Sequence, residues 1–256
     1  TKGGLPPKTL NVALAGTGVG KSLFMCHLAS SFIQQGKNVL YITLEMAEER
    51  IAERIDANLL DVTIDELYEM PKQYYESKIE KLQRKVSGQL IIKEYPTAAA
   101  HTGHFKNLMD ELALKKTFKP DVLFIDYLNI CASSRFKGGN ISSYFYIKAI
   151  AEELRGMAVE YNVPIMTATQ TTRAGYMSSD VGLEDTSESF GLPATADFMF
   201  ALITNEELEA LNQMKIKQLK NRYSDPATNR AFIIGVDRAK MRLYDVEQKA
   251  QQIGDS

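Results

Sequence analysis

The stretch LNVALAGTGVGKS, residues 10–22, joins an apolar run to a glycine-rich loop that ends in Gly-Lys-Ser. The apolar run has the length of a buried β-strand, and the residues that follow Ser22 have a helical pattern. In a Walker A loop, small residues let successive backbone N–H groups turn towards phosphate oxygens, Lys21 neutralises the β- and γ-phosphates, and Ser22 binds Mg²⁺. Ala15 replaces the first glycine of the usual pattern. We predict an ATP site formed by Gly16, Thr17, Gly18, Val19, Gly20, Lys21 and Ser22.

The rest of the chain alternates strand-length apolar runs with helical segments, which is typical of βαβ units around a parallel sheet. Buried strands in the centre of the sheet are predicted at residues 10–15, 38–43, 90–93, 121–125 and 164–168. A long amphipathic helix is predicted from Ile147 to Tyr161. After residue 203, short runs at 216–219, 231–236 and 241–246 lie between turn residues, and there we expect antiparallel strands. The predicted fold class is α/β, a P-loop NTPase with a mostly parallel central sheet flanked by helices.

The composition fits a folded chain with one large domain: 256 residues, of which 45% are hydrophobic and 24% charged. A net charge of −2 argues against bulk attraction to nucleic acid, so a nucleic-acid site must be a local patch. No run approaches the roughly 18 apolar residues of a membrane span, and residues 1–10 lack the apolar core of a secretory signal. Cys26 and Cys131 lie inside apolar runs and are expected to be reduced core residues. These features indicate the cytoplasm; because the first residue is Thr1, a piece of a longer protein stays possible.

A second motif is VLFID, residues 122–126, in which four apolar residues end in an acid. This is a Walker B pattern, and it predicts that Asp126 binds Mg²⁺ through water at the carboxyl edge of the sheet. Alone the pattern is weak, because any strand can end in Asp. The next residue is Tyr127 rather than the glutamate that many ATPases use to activate water, so the catalytic base must come from elsewhere.

Glu45 is the best candidate for that base. It follows the second predicted strand and should emerge at the same edge as Lys21 and Asp126. The alternative is a carboxylate that merely opens a helix, together with Glu48 and Glu49.

Gln170 ends the strand before a polar segment, and a neutral amide there can sense a γ-phosphate without competing for the metal. The alternative is an ordinary polar group at a strand end. Lys215 and Lys217 are typical of a solvated strand face. Lys220 and Arg222 differ through their context, because a P-loop ATPase without a second cation after its loop needs positive charge at the γ-phosphate, which a neighbouring subunit can lend.

Two polar, glycine-containing gaps, residues 133–143 and 171–187, are longer than ordinary connections and are expected to be functional. His101 and His104 have HxxH spacing, but no third ligand is evident, so a metal site is not favoured.

Taken in order, these motifs resemble the RecA-like motor domain of DnaB-type hexameric replicative helicases. The resemblance is strongest to the helicases of T-even-like bacteriophages, in the segments YITLEMAEE (41–49), KAIAEELR (148–155) and GLPATADFM (191–199). It covers about residues 3–246. By this resemblance, residues 1–247 form a single ATPase domain and 248–256 a tail, while the N-terminal domain and linker helix of the family are absent from the chain.

The resemblance implies a ring of six copies that encircles single-stranded DNA, hydrolyses ATP with Mg²⁺ at subunit interfaces, moves 5′ to 3′ and unwinds duplex DNA. It implies a primase and a helicase loader as partners, no membrane, and the cytoplasm of a bacterium or a phage-infected host. Lys220 and Arg222 would reach the neighbour's ATP. The two long loops would face the DNA, with Arg135, Lys137 and Arg173 as candidate contacts.

Three other functions stay open at this point. A RecA-like recombinase or a clock-type ATPase shares the fold and Glu45. A P-loop small-molecule kinase would need a lid, which residues 61–83 could supply. A nucleotide-dependent switch without unwinding would turn over slowly whatever polymer is added.

Overall fold

The structure, a computed structural model, describes residues 3–136, 141–171, 182–183, 191–225 and 227–247. Its strands are Leu10–Ala15 (β1), Val39–Thr43 (β2), Leu90–Glu94 (β3), Val122–Asp126 (β4), Ile165–Gln170 (β5), Phe198–Ile203 (β6), Gln213–Asn221 (β7), Ala231–Asp237 (β8) and Arg242–Asp245 (β9). They form one sheet in the order β3-β2-β4-β5-β1-β6-β7-β8-β9. The first five strands begin within one residue of the predicted positions.

The helices in chain order are Lys21–Gln34 (α1), Glu48–Leu60 (α2), Ile64–Glu69 (α3), Lys72–Lys85 (α4), Thr102–Lys116 (α5), Ser143–Tyr161 (α6), Gly191–Thr195 (α7) and Glu206–Ala210 (α8). The predicted long helix is confirmed as α6, which buries a stripe that includes Ile147, Ile150 and Leu154. It ends where Asn162 adopts a left-handed φ of 55° and Pro164 follows.

The core has one layer on each face of the sheet, because alternate residues of a strand point to opposite faces. Leu10 and Val12 of β1 pack in the layer that contains α5 and α6. Ala13 and Ala15 pack in the layer that contains α1 and α2. Burying one Leu or Ile side chain contributes about 1.5–3 kcal/mol, so the two layers together stabilise the sheet on which the site depends.

The sheet has a parallel part and an antiparallel part. The strands from β3 to β6 run parallel, and β7, β8 and β9 are added antiparallel, which confirms the expectation for the end of the chain. The prediction that all five first strands are central was wrong for β3. Among the described strands it pairs only with β2, so it lies at the edge of the sheet and exposes Lys93 and Glu94.

Parallel pairing fixes which residues meet at the carboxyl edge. Ala15 lies opposite Gln170, and Thr43 lies opposite Asp126. The loop after Ala15 and the turn after Thr43 therefore emerge at the same edge, with the ends of β4 and β5 between them. At the other edge, Asn221 of β7 lies opposite Phe198, the first residue of β6.

Both cysteines are buried and free, as the sequence predicted. Cys26 lies on α1, and burial raises the pKa of its thiol to about 12, so the thiol stays protonated. Among the residues that the structure describes, no helix is both long and apolar enough to cross a bilayer.

Candidate nucleotide site

The glycine-rich loop connects the end of β1 to the start of α1. Gly18 and Gly20 have φ values of 80° and 118°, a region in which a side chain would be strained. Helix α1 begins at Lys21, and no described side chain caps its N-terminus. The first N–H groups of a helix have no partner within the helix, so this end of α1 offers donors and a positive dipole to an anion.

A cavity of about 370 Å³ lies above this loop at the carboxyl edge of the sheet. Residues from the loop, the ends of β2 and β5, helix α2 and the turn after β8 line it: Ala15, Gly16, Thr17, Gly18, Gly20, Lys21, Ser22, Leu23, Glu45, Arg54, Gln170, Arg238 and Met241. The structure therefore brings Lys21, Ser22, Glu45 and Gln170 to one cavity.

Lys21 is the centre of the charge arrangement. Its Nζ lies 2.9 Å from Glu45 Oε2 and 3.6 Å from Asp126 Oδ1. It also lies 3.3 Å from the centre of the Tyr127 ring, a cation–π contact. The Glu45 side chain is 44% exposed, which leaves room for water beside its carboxylate.

Asp126 is buried at the end of β4. Tyr41, which is also buried, donates its hydroxyl to Asp126 Oδ2 at 3.0 Å, whereas Oδ1 has no hydrogen-bond partner among the described residues. Burial raises the pKa of the Asp126 carboxyl, while Lys21, Tyr41 and the Ser22 hydroxyl oppose that rise. A buried carboxylate oxygen without a hydrogen bond, beside a serine hydroxyl, is the donor set that fits Mg²⁺.

No group of three or more His, Cys, Asp or Glu side chains in the described part of the chain is arranged to hold a metal. Mg²⁺ commonly takes one or two protein oxygens and completes its shell with phosphates and water, so it needs no such group. His101 and His104 instead cap helix α5: His101 Nδ1 accepts from the Gly103 N–H at 3.0 Å, and His104 Nδ1 accepts from the His101 N–H at 3.2 Å.

Gln170, the last residue of β5, contacts the rest of the site through Tyr127. Its Nε2 donates to the Tyr127 hydroxyl at 3.1 Å, and the same ring lies against the Lys21 ammonium. In the sequence, Tyr127 stood out only as the absence of a glutamate, and this link was missed. The signal that could have revealed it was its position, because Tyr127 directly follows a carboxylate at the edge where Lys21 and Gln170 meet.

Two cations that were not predicted from the sequence line the same cavity. Arg54 lies nearly two turns into α2, the helix that follows Glu45, and so was within reach of a sequence argument. Arg238 lies just after β8, and its Nη1 is 3.6 Å from the position that a Cβ on Gly20 would occupy. Lys21 is thus accompanied by two guanidinium groups of its own chain.

Lys220 and Arg222 lie far from this cavity, at the amino edge of the sheet. Lys220 Nζ donates to the carbonyl oxygens of Pro193 and Ala194 at 2.5 and 3.2 Å. Arg222 Nη1 donates to Asp197 Oδ1 at 3.1 Å and its Nη2 donates to the Ala194 carbonyl at 2.8 Å, while its side chain is 39% exposed. Neither cation can therefore serve the nucleotide cavity of its own chain.

Of the predicted DNA contacts, Lys137 and Arg173 lie outside the described residues. Arg135 is described, and its Nη1 lies 2.6 Å from Glu152 Oε2. The start of the loop at 133 is fixed by the adjacent Glu153, whose carboxylate accepts hydrogen bonds from Ser133 and Ser134.

Comparisons with known proteins place these features in context. The family described as "DnaB-like helicase C terminal domain" matches residues 1–249. The chain is 48% identical over 251 residues to the "DnaB-like replicative helicase" of Enterobacteria phage T4, covering 97% of this chain and 53% of that protein. It is 32% identical over 166 residues to a "Probable plasmid replicative DNA helicase" of Chlamydia psittaci, covering 63% of this chain and 34% of that protein. The chain thus spans about half the length of the T4 relative, and a smaller share is matched in the second.

Two solved structures share the fold at low sequence identity. One is described as "The Structure Of A DnaB-Like Replicative Helicase And Its Interactions With Primase", with a TM-score of 0.77, 17% identity and coverage of 95% of this chain and 59% of that one. The other, described as an ATPase domain, has a TM-score of 0.77, 17% identity and coverage of 94% of this chain and 86% of that one.

Proposed function

This chain belongs to the family of DnaB-like helicase C-terminal domains, and on that premise we propose that it is the ATP-hydrolysing motor domain of a replicative DNA helicase. The observation that carries the proposal is the convergence of Lys21, Glu45 and Gln170 on one cavity, with the buried Asp126 carboxylate 3.6 Å from the Lys21 ammonium. Residues 1–247 act as the motor, whereas residues 248–256, expected to be a tail, lie outside the described residues.

ATP binds with its phosphates on the loop of residues 16–20 and the N-terminus of α1. Lys21 then exchanges its contact with Glu45 for the β- and γ-phosphates, because a phosphate oxygen at this position competes directly for the ammonium. Arg54 and Arg238 add positive charge to the walls of the cavity. Together these groups offset part of the charge of the triphosphate.

Ser22 and Asp126 hold Mg²⁺ in this scheme. When bound, the ion shields the negative charge of the β- and γ-phosphates. Tyr41 orients the Asp126 carboxylate by its 3.0 Å hydrogen bond to Oδ2, which leaves Oδ1 directed at the site.

Glu45 positions the attacking water and accepts its proton, as the water oxygen bonds to the γ-phosphorus and the bond to the bridging oxygen of ADP breaks. Its half-exposed carboxylate becomes available for this role once Lys21 has turned to the phosphates. Gln170 senses the γ-phosphate through Tyr127, whose hydroxyl accepts from the Gln170 amide and whose ring contacts Lys21.

The missing positive charge at the γ-phosphate comes from a neighbouring copy. Lys220 and Arg222 sit at the edge of the sheet opposite their own cavity, so they can serve only a nucleotide bound by another chain. An arginine supplied in this way contributes about 10³–10⁵ in rate in comparable NTPases.

The working assembly is a ring of six copies around single-stranded DNA, moving 5′ to 3′ in the cytoplasm of a bacterium or a phage-infected host, with a primase and a loader as partners. Arg135, Lys137 and Arg173 contact the DNA backbone. A weak basic patch that is repeated in every copy of a ring binds DNA with a higher combined affinity than one patch alone. A chain of net charge −2 can therefore bind a phosphate backbone.

The direct test is ATP turnover with and without oligothymidine, on protein whose assembly has been checked by mass in solution. The proposal expects turnover that rises with oligothymidine. Assembled protein that hydrolyses ATP at the same rate without DNA would contradict the motor function.

A further inference from the structure

Asp197 is a buried carboxylate at the amino edge of the sheet, and its side chain is only 1% exposed. Its Oδ2 accepts from the Leu10 N–H at 2.9 Å, which ties it to the start of β1. Two guanidinium groups reach the same carboxylate, one from Arg155 on α6 and one from Arg222 after β7. One buried anion is therefore shared by two cations.

The two arginines hold Asp197 unequally. Arg155 makes three contacts, from Nε to Oδ1 and Oδ2 at 3.3 and 3.1 Å and from Nη2 to Oδ1 at 3.2 Å. Within the described part of the chain, Arg222 makes one hydrogen bond with the carboxylate, from Nη1 at 3.1 Å, and its Nη2 donates to the Ala194 carbonyl instead. Both arginine side chains are more than a third exposed, so either can be reached from outside.

A buried carboxylate that loses its counter-ion is strongly destabilised, because neither water nor a second cation replaces the lost charge. If Arg222 were the sole partner of Asp197, this penalty would hold it in place. Arg155 removes the penalty, since its three contacts keep the carboxylate neutralised when Arg222 departs.

We propose that Asp197 and Arg155 act together as a positioning pair for Arg222. The hydrogen bond to Asp197 holds the Arg222 side chain at the edge of the subunit. Arg155 keeps Asp197 neutralised, so that Arg222 can move to the nucleotide bound by the neighbouring copy. This inference rests on the proposed function, in which Arg222 acts on another chain. Lys220 sits beside the pair, held by the carbonyls of Pro193 and Ala194, and completes a cationic edge.

The proposal predicts a specific defect for Arg155→Ala. Of the two guanidinium groups, Arg222 alone would then neutralise Asp197, and it would stay with its own chain. ATP turnover in the assembled protein should fall roughly 10-fold or more, because the cation in trans is lost, while binding of a non-hydrolysable ATP analogue stays unchanged. Arg155→Lys should recover part of the turnover.

Mixing experiments separate this role from a merely structural one. In assemblies that combine Arg155→Ala with Lys21→Ala, some sites pair an intact loop with an intact Asp197–Arg155–Arg222 set. Turnover should therefore reappear. Asp197→Asn should likewise lose turnover alone and regain it in mixtures with Lys21→Ala. Far-UV circular dichroism and the unfolding midpoint check that the Asp197→Asn chain is folded. Arg84→Ala, which removes an exposed cation from α4, is the matched control and should keep full turnover.

Two results would overturn the inference, and they are distinguishable. If Arg155→Ala has normal turnover, or loses turnover without rescue while Arg222→Ala is rescued, the positioning role is wrong and the function in trans stands. If Arg222→Ala is not rescued either, the arrangement in trans fails, and the inference fails with it.

Discussion

Lys21 and Glu45 form a 2.9 Å ion pair across the nucleotide cavity, between the residue expected to bind phosphate and the residue expected to activate water. The pair holds both groups in place before nucleotide arrives. In the proposed mechanism, a phosphate that takes the Lys21 ammonium frees the Glu45 carboxylate, so this one contact links nucleotide binding to activation of the water.

The first prediction concerns Glu45→Gln. The amide keeps the shape of the side chain but cannot accept a proton, so turnover should fall by roughly 10³-fold or more while ATP still binds. Turnover and binding of a fluorescent ATP analogue measure the two effects. Glu49→Gln, an exposed neighbour at the start of α2, is the control and should turn over normally. Normal turnover in Glu45→Gln would assign the base to another residue.

The second prediction concerns the link between Tyr127 and Gln170. Tyr127→Phe keeps the ring against Lys21 but removes the hydroxyl that accepts from Gln170. Turnover should fall roughly 3- to 10-fold, and adding Gln170→Ala should cause little further loss, because both changes break one interaction. A double-mutant cycle on turnover measures this coupling. Fully additive losses would show that the two side chains act separately.

The third prediction is that Asp126→Asn makes the nucleotide-free protein more stable while abolishing hydrolysis. Burial raises the pKa of Asp126, so the folded state binds the proton more readily than the unfolded state does. The charged carboxylate at pH 7 therefore lowers the free energy of unfolding. Asparagine removes that charge and keeps an oxygen for the Tyr41 hydroxyl. An increase in Tm of about 2–4 °C corresponds to about 1 kcal/mol for a domain of this size. A lower Tm would mean that the Lys21–Asp126 attraction outweighs the burial cost.

The fourth prediction concerns pH and His27. Its Nδ1 lies 3.0 Å from the Asn58 amide nitrogen and accepts from the Leu243 N–H at 3.2 Å, so the ring ties α1 to β9 in its neutral form. Burial, and then the charge of Arg242, lowers its pKa from the ordinary 6.5. The folded state therefore binds the proton less readily than the unfolded state, and this stabilisation is complete above pH 6.5 and is lost as pH falls below it.

Thermal unfolding at pH 7.5 and 5.5 tests the role of His27. The Tm of the natural chain should drop at the lower pH. His27→Gln supplies an uncharged amide oxygen in the same region, so its Tm should change less with pH. An equal change in both proteins would assign the pH dependence to other groups.

Much of the fold, and the part of the site formed by strand ends and the glycine-rich loop, follow from local sequence patterns. The bounds of β1 coincide with its apolar run, and the carboxyl ends of parallel strands must share an edge, so Glu45, Asp126 and Gln170 could be assigned to one site with Lys21. The family comparison likewise confirms the resemblance drawn from these motifs.

What could not be predicted depends on long-range pairing. Arg238 reaches the loop only because β8 runs antiparallel to β7 and returns to the carboxyl edge. Asp197 meets Arg155 from 42 residues away, and no spacing in the sequence indicates that contact. The edge position of β3 could not be predicted either, because an apolar run does not reveal how many neighbouring strands a strand has.

The most direct test of the central claim is ATP turnover in mixtures of Arg222→Ala and Lys21→Ala proteins. Each variant alone lacks one half of every site. In mixed assemblies, a chain with intact Lys21 can lie beside a chain with intact Arg222, and we predict that turnover appears on mixing and rises with oligothymidine. Mixtures that assemble, as judged by mass, and remain inactive would contradict a site shared between two copies.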